Sequence, residues 1–68
     1  MNKIKNYFVL YEYKIHALGI NSRITKVSEV RKTINDLDTS YGLTNEIKSL
    51  SNKVGEKITL ISWKELKD

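Results

Sequence analysis

Sixty-eight residues hold one domain and leave room for only a thin core. Without cysteine, disulfides and thiolate zinc sites are excluded, and such a composition fits a reducing cytoplasm. A net charge of +4 excludes an acidic mimic of DNA and mildly favours acidic partners, either nucleic acid or an acidic protein surface.

The opening MNKIKNYFVLYEYK sets Lys3 and Lys5 before an apolar run, as a signal peptide does. Glu12 and Lys14 cut that run short and no small-residue cleavage site appears, so the expectation is a domain neither secreted nor membrane-embedded. Tyr7 to His16 reads as the strongest strand. Alternation puts Tyr7, Val9, Tyr11, Tyr13 and Ile15 on one face, while the other starts with Phe8 and Leu10 and turns polar at Glu12, Lys14 and His16. Gly19 and Asn21 suit a tight connection to a second, more polar strand over Ser22 to Arg31, whose apolar points are Ile24, Val27 and Val30. Arg23, Lys26 and Arg31 fit an edge strand that charge protects from pairing with other chains.

Lys32 to Gly42 is ambiguous: Asp36, Asp38, Thr39 and Ser40 are all potential helix caps, and Gly42 interrupts a long helix. Leu43, Ile47, Leu50 and Val54 then recur at helical spacing, with Thr44 as a further cap, Glu46 and Lys53 matched to the helix dipole, and Gly55 at the C-terminal stop. The helix is expected from the mid-forties to Val54, with a start as early as Leu37. Lys57 to Lys64 closes the chain as a third strand, in which Ile58 and Leu60 alternate against Thr59, Ile61 and Trp63. The expected fold is a single α+β domain over residues 1–68, with ββαβ order. Its three-stranded antiparallel sheet runs in the order 2-1-3, with the helix across one face.

Nothing in the chain looks catalytic. His16, the only histidine, stands at a strand end beside a turn, and Asp36 and Asp38 read as turn-formers ahead of a helix before they read as a magnesium pair. Gly19, Gly42 and Gly55 are too scattered for a phosphate loop, and no serine has the setting of a nucleophile elbow. The expectation is a non-catalytic protein with no cofactor and no metal. One feature points to binding: a single helix covers one sheet face, yet the strands carry apolar residues on both. Phe8 and Leu10, with Ile61 and Trp63 or else Ile58 and Leu60, are left uncovered.

The segments KNYFVLYEYKI and ITLISWKEL, with the glycine-bearing hairpin between them, resemble short uncharacterised phage and prophage proteins of AT-rich Gram-positive bacteria. Lys32 to Gly42 departs most from that pattern. The resemblance implies an accessory protein in the cytoplasm of a bacterial host that binds and disables a host protein, such as a CRISPR-type defence nuclease. In this reading Phe8, Leu10 and Trp63 supply affinity, while Arg23, Lys26 and Arg31 steer an acidic partner. Two alternatives stand beside it. One is nucleic-acid binding through Lys14, Arg23, Lys26, Arg31 and Lys32 with tyrosines between them; the other is self-association, as in a homodimer.

Overall fold

The computed structural model describes residues 3–16 and 22–67, with the backbone alone at His16 and Ser22. Strands β1 (Lys5–His16) and β2 (Ser22–Thr33) are followed by helix α1 (Ser40–Val54) and strand β3 (Ile58–Glu65). The sheet is antiparallel in the order β2-β1-β3, so the strand that is apolar on both faces takes the centre, as its composition predicts. The strands run one or two residues beyond their expected ends at Lys5, Thr33 and Glu65. The connection that was to use Gly19 and Asn21 lies outside the described residues.

Alternation along β1 sends Tyr7, Val9 and Tyr11 into the core, where they meet Leu37, Leu50 and Ile58. The helix therefore covers the face that carries Val9, Tyr11 and Tyr13. Its cap is Thr39, in extended conformation: the hydroxyl oxygen accepts from the Gly42 N–H at 3.0 Å and donates to the Asp36 carbonyl at 2.8 Å. Thr44, the later candidate cap, lies within the helix. Gly42 does not interrupt α1 but admits it to the fold, because a Cβ there would fall 2.0 Å from the Asp36 carbonyl oxygen. At the other end Gly55 takes the left-handed conformation (φ 85°) and donates its N–H to the Ser51 carbonyl at 2.8 Å, as expected of a helix stop.

The helix is rotated from the expected apolar stripe. Gly42, Glu46 and Leu50, spaced four apart, form the buried row, whereas Leu43, Ile47 and Val54 pack against the core from half-buried positions. The close approach at Gly42 fixes this rotation: only a glycine there lets the first turn rest against the Asp36 backbone.

A bulge in β3 decides where the last aromatic goes. Tyr11 pairs with Leu60 but Leu10 pairs with Ser62, so Ile61 is an extra residue without its own cross-strand partner. Before the bulge Ile58 and Leu60 face the core, and after it Trp63, opposite Val9, faces the core as well. The simple alternation of Ile58 and Leu60 against Ile61 and Trp63 is thereby corrected: Trp63 joins the covered side.

Candidate functional site: the open face of the sheet

With α1 on one side, the other face of the sheet is without a covering layer among the described residues. On β1 it presents Asn6, Phe8, Leu10, Glu12 and Lys14. Their β2 partners are Lys32, Val30, Ser28, Lys26 and Ile24, and on β3 Phe8 faces Lys64 and Leu10 faces Ser62. Phe8 is 47% exposed and Val30 57%, with Leu10 half-buried beside them. Large apolar side chains exposed side by side on paired strands form a patch, unlike scattered surface leucines that need no explanation.

The charges on the two faces differ. Three cations on the covered side meet carboxylates: Lys5 lies 3.5 Å from Asp36, Arg31 2.8 Å from Glu46 and Lys53 2.7 Å from Glu29. On the open face Lys14, Lys26, Lys32 and Lys64 are exposed and, among the described residues, carry no ion pair; Glu12 is the single carboxylate on the strand positions of that face. The apolar centre on β1 is therefore flanked by lysines on both neighbouring strands.

The residues expected to form the binding surface divide between the two faces. Phe8, Leu10 and Lys26 lie together on the open one. Trp63 does not join them: it packs against the core and donates its indole N–H to Asp38 Oδ1 at 3.2 Å. Arg31 is also on the covered side, where Nε bonds Glu46 Oε2 at 2.8 Å and Nη2 donates to Ser49 Oγ at 3.2 Å. Arg23, exposed and opposite Ile15, sits on the covered side too, on the part of the hairpin that outruns β3, whose pairing stops at Tyr13. Arg23 and Arg31 thus do not flank the Phe8 patch, because alternation places odd-numbered β2 residues on the helix side. Val30, Lys32 and Lys64 were missed as members of the open face, although the same alternation, once the strands are paired, places them there.

Asp36 and Glu46 on the covered side are engaged in structure. Asp36 Oδ1 accepts from the Asp38 N–H at 3.0 Å, and this bond, with the nearby Lys5 ammonium, holds its carboxyl below the usual range. Glu46, 1% exposed, has its second oxygen on Asn35 Nδ2 at 3.2 Å, so its buried charge is fully matched. A shallow recess of about 390 Å³ beside the helix start is lined by Ile34, Asp36, Thr39 and Tyr41, with no titratable cluster facing it. No group of three or more metal-ligating side chains is found among the described residues, and no helix there is long and apolar enough to cross a membrane.

No family profile, curated protein or solved structure matches the chain.

Proposed function

We propose that this protein is a non-catalytic binding domain that docks a protein partner on the open face of its sheet. The observation that carries the reading is the pairing of Phe8 with Val30, both exposed at the centre of a face ringed by lysines that carry no ion pair among the described residues. Exposed apolar side chains reduce solubility unless something covers them, so a patch of this kind is typical of an interface. The resemblance to phage accessory proteins supports a bacterial host protein as partner, with a CRISPR-type nuclease as the class to test.

The nucleic-acid alternative loses its stacking platform in this arrangement. Tyr7 and Tyr11 are buried and Tyr13 and Trp63 face the helix side, which leaves Phe8 as the aromatic among the described side chains of the open strand positions.

A photo-crosslinking phenylalanine analogue placed at position 30, and at the exposed helix position 48 as control, tests the reading in bacterial cells. A discrete adduct from position 30 alone, lost in a folded Phe8→Ser variant, is the expected result. Equal adducts from both positions, or none from position 30, would overturn it. Expression in a strain whose CRISPR nuclease clears a targeted plasmid tests the partner class; unchanged clearance alongside the adduct removes the nuclease and leaves the binding surface.

A further inference from the structure

We infer that the occupant of the open face is an acidic amphipathic helix, with an apolar stripe flanked by carboxylates on both sides; this rests on the binding-domain reading above. The geometry begins with width. Three strands about 4.8 Å apart span roughly 10 Å, the diameter of one helix with its side chains. The protein already packs a helix on its other side, where α1 shares the core with residues of β1 and β3 and bonds Arg31 and Glu29 of β2.

Charge then selects the helix. The apolar line runs along β1 through Phe8 and Leu10, with Val30 beside it. Lys26 and Lys32 stand on the β2 margin and Lys64 on the β3 margin, all exposed. A helix whose apolar residues recur at three- and four-residue spacing, with glutamates on either shoulder, sets its stripe on Phe8 and brings carboxylates to both lysine margins. A second copy of this chain is disfavoured on the same ground. Face-to-face pairing would set two lysine-rimmed surfaces against each other, with Glu12 the single carboxylate among the described strand positions of each to offset them.

The test uses the full chain and a synthetic helical peptide of about 18 residues, with a leucine stripe and glutamate shoulders. Controls are the same peptide with lysine shoulders and a thymidine oligonucleotide of about 20 nucleotides. The glutamate peptide should bind at least about tenfold more tightly than either control, and its backbone amide shifts should centre on Phe8, Leu10 and Val30. The triple variant Lys26→Glu, Lys32→Glu and Lys64→Glu, shown folded by its circular dichroism melt, should reverse the preference between the two peptides. Tighter binding of the oligonucleotide, a dimer by sedimentation that buries Val30, or shifts centred on α1 would each overturn the inference. If the peptide fails while the position-30 adduct forms, the partner chemistry is wrong and the surface stands; if both fail, the surface itself is wrong.

Discussion

Leu37 donates its backbone N–H to the hydroxyl of Tyr7, 30 residues earlier in the chain, over 3.2 Å. The same hydroxyl donates to Asp36 Oδ1 at 3.4 Å, so one phenol on the central strand holds the turn that leads into the helix. Tyr7→Phe keeps the ring and leaves a buried N–H without a partner, which should cost about 1–3 kcal/mol. Urea denaturation measures this, with Tyr41→Phe, at an 80% exposed site, as the control that should change nothing. Equal stability of the two variants would show that the Tyr7 hydroxyl does not hold the turn.

Gly42→Ala should destabilise, against the rule of helix propensity. In an open helix position alanine gains up to about 1 kcal/mol over glycine. Here the new methyl meets backbone atoms of Asp36, which cannot move without shifting the cap, and overpacking of this kind costs about 1–3 kcal/mol. A raised melting temperature in this variant would mean that the helix start does not seat as closely as described.

Arg31 should matter for folding and leave partner binding unchanged. Arg31→Met alone strands the buried Glu46 charge, a loss of about 3–5 kcal/mol. The double variant Arg31→Met with Glu46→Leu removes both charges and should recover most of that stability. Binding on the open face should be normal in the double variant, since Arg31 lies on the other side of the sheet. Reduced affinity in that folded variant would place Arg31 back in the interface.

Stability should fall at both ends of the pH scale, for separate reasons. Burial, reinforced by the hydrogen bond to Glu29, pushes the Tyr11 hydroxyl up to about 12, and burial moves Tyr7 in the same direction. A pKa raised by folding stabilises fully below the unfolded value, so this contribution is lost as pH climbs from about 10 to about 12. On the acid side, partial burial pushes the Glu29 carboxyl up, but hydrogen bonds from Lys53 and Tyr11 outweigh it and hold it below its ordinary value. That stabilisation is present above the unfolded value and is lost as pH falls through the lowered one. Urea midpoints followed against pH should lose part of the alkaline limb in Tyr11→Phe and part of the acid limb in Glu29→Gln. Unaltered limbs in both variants would refute the assignment.

The topology was legible because Tyr7 to His16 is apolar on both faces and Ser22 to Arg31 is not, a contrast that by itself puts the first strand in the centre. The rotation of α1 was not. A stripe read from hydrophobic residues passes over Gly42 and Glu46, one with no side chain and one charged, yet close backbone approach and an ion pair put both inside. Trp63 was misplaced for a related reason. A one-residue bulge reverses every later side chain, and Ile61 looks like any other strand residue in the sequence. The open face was half legible: Phe8 and Leu10 follow from β1 alone, while Val30, Lys32 and Lys64 need the pairing.

The antiparallel pairing of β1 with β3 also decides how the domain answers a mechanical load. Tyr7 lies opposite Glu65, and the Leu66 N–H bonds the Asn6 carbonyl at 2.8 Å, so residues 6 and 66 meet at the same end of the sheet. Tension applied between these two positions opens the β1–β3 ladder like a zipper, one rung at a time, and never loads its hydrogen bonds in parallel. An optical-tweezers measurement with handles at residues 5 and 66 should therefore record a lower rupture force than one with handles at residues 5 and 58, which shears the same ladder. Under tension between these two positions β3 would be the first element to leave the sheet.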